Sequence, residues 1–271
     1  NPKGLMEYIS TCKREFKPQT KFQYSCLNYI TLQHIIETIT GQSLRDFAKE
    51  NIFDILGMQY TDYLPIIQQQ DGKWINTVAC PWMDRIAPTE KQKDGSVLCG
   101  QVHDPLARIL NGGISGNAGI FSNANDIGIL AAALLNGGEY NGHRILSPLG
   151  VKTMCTVPRE LTAFGRTPGW DIFSPYASNK GDLFSPNTFG HTGYTGTSII
   201  IDPDNDTAVI LLVNAVHPED RHSIVRLRSL VANAVAASIC PPAQVYTDHY
   251  YKRFLQFETE TPISPKDIVM V

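Results

Sequence analysis

Two β-branched, apolar runs joined by a turn constrain this chain more than any other feature. Residues 197–201 (Thr-Ser-Ile-Ile-Ile) and 207–213 (Thr-Ala-Val-Ile-Leu-Leu-Val) flank Asp202-Pro203-Asp204-Asn205-Asp206. Proline presets one turn dihedral, and Asp and Asn side chains bond to nearby backbone, so this segment reverses the chain. Neither run alternates apolar with polar residues, as a strand wetted on one face would. They predict a hairpin buried on both faces, in an antiparallel sheet flanked by helices. After Pro218, residues 219–239 place Ile224, Leu227, Val231, Ala234, Val235 and Ala236 on one side, which predicts the covering helix. The fold class expected is α+β.

Upstream, Ile30, Leu32, Ile35, Ile36 and Ile39 recur at helical spacing over 28–40, with Gly41 as C-cap. Ser43 with Asp46 three residues on starts a second helix through Phe47, Ala48 and Ile52, ending near Gly57. Asp126 to Asn136 forms a third, with Ile127, Leu130, Leu134 and Leu135 apolar, closed by Gly137-Gly138. Residues 1–23 are polar and end in a turn around Pro18. Residues 59–118, and again the stretch to about 188, carry turn formers without periodicity and suit a site wall better than a core. One domain is expected over 1–240, followed by a tail or linker at 241–271 whose aromatics (Tyr246, Tyr250, Tyr251, Phe254, Phe257) suit docking.

With 23 Lys+Arg against 26 Asp+Glu, the net charge of −3 speaks against a nucleic-acid partner, which needs clustered cations. No stretch approaches the ~20 apolar residues of a membrane span. The six cysteines lack CxxC or CxxH spacing, so small reduced thiols are expected rather than a zinc cage. The chain opens on Asn1 with no basic-then-apolar leader.

Two short stretches carry chemistry: Phe22-Gln23-Tyr24-Ser25-Cys26-Leu27-Asn28-Tyr29 before the first apolar helix, and Gly190-His191-Thr192-Gly193-Tyr194-Thr195-Gly196-Thr197 before the hairpin. In that order they resemble the Tyr-x-Asn and Lys/His-Thr-Gly motifs of serine β-lactamase-like and penicillin-binding-protein-like hydrolases, including class C β-lactamases and family VIII esterases. Pro18 with Thr20-Lys21-Phe22, Asn51-Ile52-Phe53 with Leu56-Gly57-Met58, Gly169-Trp170, and Asn214 to Pro218 extend the resemblance from about residue 10 to about 240. It implies a β-lactamase/transpeptidase-like fold and attack on an ester, amide or peptidoglycan-type peptide through an acyl-enzyme.

In such enzymes a serine loses its proton and the tetrahedral oxyanion meets fixed donors. By the resemblance, Tyr24 is the general base or proton relay. His191 supplies a donor or positive charge, Thr192 bonds the substrate carboxylate, and Gly193 admits the substrate to the backbone. The Tyr194 amide is an oxyanion donor. Cys26 takes the place of a substrate-holding Asn, and a thiol cannot reproduce an amide's donors and acceptor. His191 in place of Lys, only partly charged near neutrality, tilts the reading from β-lactamase toward the esterase and peptidase-like branches. The loop Asn117–Ser122 resembles the one bordering the cleft. No cofactor or metal is implied; His103-Asp104 reads as a loop anchor rather than a metal pair.

The family's Ser-x-x-Lys nucleophile is not evident. Ser10-Thr11-Cys12-Lys13 fits by letter, but stands only 14 residues before Tyr24, outside any apolar helix. The N-terminal part of the domain is therefore expected to be missing, with the nucleophile upstream or on a separate polypeptide. Cys26 as an alternative nucleophile is a further possibility from its thiol. A different class of reading is a non-catalytic module that keeps the cleft and binds cell-wall peptide or a protein. The hairpin edge would invite a complementary segment or self-association. Family resemblance alone places the protein outside the cytoplasm, in the bacterial periplasm or envelope.

Overall fold

The structure is a computed structural model that describes residues 1–18, 20–174, 180–220 and 223–239. The expected tail at 241–271 lies outside the described residues. Helix α1 (Pro2–Thr11) starts the chain, its N-cap Asn1 accepting from the Gly4 amide with proline in the first turn. No helix is expected within the polar residues 1–23, only the turn around Pro18; one capping side chain and a proline at the start are enough for a helix at Pro2–Thr11. Helix α2 (Cys26–Thr40) begins behind N-cap Ser25 and ends on left-handed Gly41, two residues ahead of the predicted start. Helices α3 (Leu44–Ala48) and α4 (Asp54–Leu56) are joined by a π-turn over Lys49–Phe53.

The loop-rich middle holds three short strands, β1 (Asp62–Tyr63), β2 (Ile66–Gln68) and β3 (Trp74–Asn76), and a π-turn at Leu106–Leu110. Strand β4 (Ile120–Phe121) pairs with β1, and β2 with β3. Helix α5 (Ala124–Leu135), capped by Asn123, is followed by the hairpin β5 (Glu139–Tyr140) and β6 (His143–Arg144). Helix α6 (Pro148–Cys155) falls in a stretch expected to be irregular; Ser147 caps it and Pro148 occupies its first turn.

Strands β7 (Phe189–Thr192), β8 (Ser198–Asp202) and β9 (Thr207–Leu211) form the antiparallel sheet, with Ile200 opposite both Gly190 and Val209. Asp202 closes the hairpin, accepting from the Ser185 amide and hydroxyl, the Asp204 amide and Asn205. Helix α7 (Val225–Ile239) begins six residues later than its apolar pattern predicts. The chain just ahead is engaged elsewhere: His217 Nδ1 donates to the Thr89 carbonyl at 2.6 Å, and the Lys91 amide to the Pro218 carbonyl at 2.9 Å.

The two faces of β8 sort its side chains by the period of a strand. Ile201 packs with Phe189, Ala131, Leu134 and Val151 on the α5–α6 side, and Ile199 lies against that cluster. Ile200 packs with Val209, Ala232, Ala236 and Phe184 beneath α7. Both faces of the sheet are thus covered, as the unalternating hairpin predicts. A third cluster joins α3, α4 and Tyr63 to Ala133, which is fully buried on α5.

Candidate active site

The two motifs reach one place because a third segment pins them together. Tyr24 is the residue before the α2 N-cap, where extended Ser25 turns the chain into the helix. His191 lies on β7. Between them runs the loop 165–171. The Tyr29 hydroxyl on α2 donates to the Pro168 carbonyl at 2.9 Å. At the other end, Asp171 and Gly190 exchange backbone bonds of 2.9 and 3.0 Å, adding a bridge to the edge of β7. The Trp170 ring rests on Phe189 with centroids 5.3 Å apart.

This loop carries Arg166, which the sequence reading did not single out. Its Nη1 lies 3.4 Å from His191 Nε2, and its Nη2 lies 3.2 Å from the buried Asp171 carboxylate. Its guanidinium carbon stands 5.4 Å from the Tyr24 ring centroid and 5.7 Å from that of Phe22. Tyr24 and His191, predicted as a pair, are thus linked through one cation. Phe22 in turn contacts Phe164, with centroids 6.3 Å apart. An arginine in an irregular loop, 25 positions ahead of His191, gives no local spacing signal that could have revealed it.

The hydrogen-bond network determines the charge of His191. Its Nδ1 lies 3.0 Å from the Thr192 carbonyl, which can only accept, so Nδ1 carries the proton. Nε2 faces a guanidinium, which can only donate, so it presents its lone pair. The ring is therefore neutral. Burial, followed by the Arg166 charge, lowers its pKa below the ordinary histidine value, against smaller opposing effects of the Thr192 carbonyl and Asp171. Of the two roles expected of His191, donor or positive charge, the charge is carried beside it by Arg166.

The other predicted residues are arranged around this centre. Cys26 is the first residue of α2, a half-buried free thiol. Thr192 ends β7 opposite Ser198. The Gly193 amide donates to the Thr197 carbonyl at 2.8 Å, and a Cβ at Gly193 would come within 2.3 Å of the Thr197 hydroxyl. The Tyr194 ring is 75% exposed, stacks on His103 at 5.7 Å and donates its hydroxyl to Asp220. His103 lies 3.5 Å from Glu90, while Asp104 accepts from the Ala107 amide and starts the π-turn that follows. Among the described residues, no group of three or more His, Cys, Asp or Glu is placed to hold a metal ion.

The loop before β4 is locked onto α2. Buried Gln33 donates to the Ile114 carbonyl at 3.1 Å and accepts from the Gly116 amide at 3.0 Å. Ser115 bonds Asn117 at 2.7 Å, which fixes the start of the predicted cleft-bordering loop. Ser10 occupies the last turn of α1, in an open groove with Pro2, Lys3, Met6, Glu7 and His34. Its exposed hydroxyl donates to the Glu7 carbonyl at 2.8 Å, a helix-internal bond that leaves the proton engaged.

A three-stranded antiparallel sheet between helices, with Tyr24 ahead of one helix and His191-Thr192-Gly193 at the sheet edge, agrees with the β-lactamase/transpeptidase-like fold expected. The Beta-lactamase family model matches residues 1–233. An Escherichia coli K12 protein named "Putative D-alanyl-D-alanine carboxypeptidase" is 35% identical over 226 residues, covering 78% of this chain and 49% of that protein. The chain thus spans about half the length of the curated relatives it matches. A β-lactamase structure from Mycobacterium bovis superposes with TM-score 0.55 at 19% identity, over 84% of this chain and 68% of that one. Unliganded simvastatin synthase of Aspergillus terreus gives 0.56 at 16%, over 87% and 61%. The chain belongs to the β-lactamase family of serine β-lactamase-like and penicillin-binding-protein-like proteins.

Proposed function

We propose that residues 1–240 form the substrate-binding and proton-transfer side of a serine acyl-hydrolase site. The reaction class is cleavage of an ester, amide or peptide through an acyl-enzyme. The proposed substrate class is an acylated D-alanyl-D-alanine peptide, the chemistry in the names of the curated relatives. The observation that carries the reading is the convergence of Tyr24, Arg166 and His191. A cation beside a phenol and a neutral imidazole suits an anionic substrate terminus and a proton relay. Tyr24 would receive the nucleophile's proton, Arg166 and Thr192 would hold the carboxylate, and the Tyr194 amide would meet the oxyanion. The nucleophile would come from a Ser-x-x-Lys segment outside these 271 residues, since the Ser10 hydroxyl is spent within α1. An extracytoplasmic location goes with this substrate. Among the described residues no helix is long and apolar enough to cross a membrane.

Cys26 in the Asn position favours a second reading, a binding module that retains the cleft without turnover. Two measurements separate the cases. Titrating the ¹⁵N-labelled chain with an N-acyl-D-Ala-D-Ala dipeptide should shift the amides of His191 to Tyr194, and Arg166→Met should abolish that response. Shifts confined elsewhere would refute the proposal. Incubation with fluorescent penicillin should leave this chain unlabelled, while a longer form bearing Ser-x-x-Lys should be labelled covalently. A longer form that binds the dipeptide but takes no label would establish the binding module.

A further inference from the structure

We infer that Arg228 is a positioning residue that aims the Tyr194 amide into the cleft. This rests on the proposed function, in which that amide is the oxyanion donor. Arg228 lies on the buried side of α7, 8% exposed, and its Nη2 donates to two backbone carbonyls, Gly193 at 2.8 Å and Thr197 at 3.0 Å. These carbonyls sit at the two ends of the turn between β7 and β8. The turn is otherwise closed by the Gly193 amide on the Thr197 carbonyl and the Gly196 amide on the Gly193 carbonyl at 3.1 Å.

The geometry follows from the planarity of one peptide. The Gly193 carbonyl and the Tyr194 N–H belong to the same trans unit, so they point in opposite directions. Arg228 holds the carbonyl from the α7 side and thereby turns the N–H away from α7. A cation on the carbonyl also polarises the unit and strengthens the opposing N–H as a donor. The Tyr194 side chain is held separately, by stacking on His103 and by its hydroxyl on Asp220, so the orientation of its amide is left to the turn that Arg228 holds.

The environment of Arg228 points the same way. Among the described residues no carboxylate pairs with it, and burial lowers its pKa. A buried cation without a counter-charge is a net cost to folding that an apolar residue on α7 would avoid. Holding two carbonyls of the turn beside the candidate site is what that cost supports.

The test uses the ¹⁵N-labelled full chain and its Arg228→Met and Arg228→Lys variants, with the phosphinate isostere of the acyl-D-Ala-D-Ala dipeptide as a tetrahedral anionic probe. Without ligand, Arg228→Met should move the amides of Tyr194 and Ser198, which follow the two released carbonyls, while the amides of α2 stay in place. With the probe, its Kd should rise about tenfold and the downfield shift of the Tyr194 amide proton should be lost, while His191 and Thr192 still respond. Arg228→Lys should fold, recover part of the affinity and fall short of wild type, because an ammonium cannot reproduce the planar fork. A folded Arg228→Lys or Arg228→Met chain that binds like wild type, with Tyr194 shifted as in wild type, overturns the inference and leaves the proposed function standing. Unmoved Tyr194 and Ser198 amides in ligand-free Arg228→Met overturn it too. A wild-type chain that shows no response at His191 to Tyr194 fails the proposed function itself, and the inference falls with it.

Discussion

Arg166 and His191 meet as donor and acceptor, Nη1 to Nε2 at 3.4 Å, while the same guanidinium contacts Asp171 at 3.2 Å. A neutral histidine thus shares the site with a permanent cation. Replacing Arg166 by Met removes a like charge from beside the ring. The His191 titration midpoint, followed by imidazole NMR, should rise, yet stay below the ordinary value because burial, the larger cause, persists.

The same histidine gives the fold a pH dependence with a definite sign. Its folded pKa lies below the unfolded value of about 6.5. Below that pH the unfolded chain binds a proton that the folded chain resists, so this group costs stability as pH falls. Above it both states are neutral and the effect vanishes. Urea midpoints measured from pH 8 to pH 5 should decline for wild type more steeply than for His191→Asn; equal slopes would contradict the assignment.

Gly116 is fixed by contact rather than by its backbone angle. A Cβ there would sit 2.1 Å from the Tyr29 carbonyl oxygen on α2. Gly116→Ala should force the loop off the helix and cost about 1–3 kcal/mol, the usual range for overpacking, read as a lowered thermal midpoint.

Gln33 holds that loop by polar bonds. Gln33→Leu would strip the Gly116 amide and the Ile114 carbonyl of their partner. A loss of about 1–3 kcal/mol for unsatisfied buried groups is expected, with faster hydrogen exchange at residues 114–117.

Ser10 and Cys26 separate two candidate nucleophiles from their surroundings. Ser10→Ala removes an exposed, helix-internal bond and should change stability by no more than about 0.5 kcal/mol, with no effect on dipeptide binding. Iodoacetamide at neutral pH should modify half-buried Cys26 no faster than exposed Cys12 or Cys99, as mass spectrometry of the digested chain would show.

What sequence alone determined is local or periodic. The Asp-Pro-Asp-Asn-Asp turn and the runs around it dictate a hairpin covered on both faces, because neither run alternates apolar with polar residues. Ile30 and Ile36, with Gly41 behind them, dictate α2 in the same way. The order of the Tyr24 and His191 motifs identified the family. Helices α1 and α6 were legible only in their caps, Asn1-Pro2 and Ser147-Pro148, since their apolar patterns are thin. Tertiary structure alone decided the site's electrostatics. Arg166, Asp171 and Arg228 are ordinary charges at unremarkable spacings. Their effects depend on burial and on distances of about three ångströms to groups far away in sequence. Charge interactions depend on separation in space and on exclusion of water, and neither is written in the order of residues.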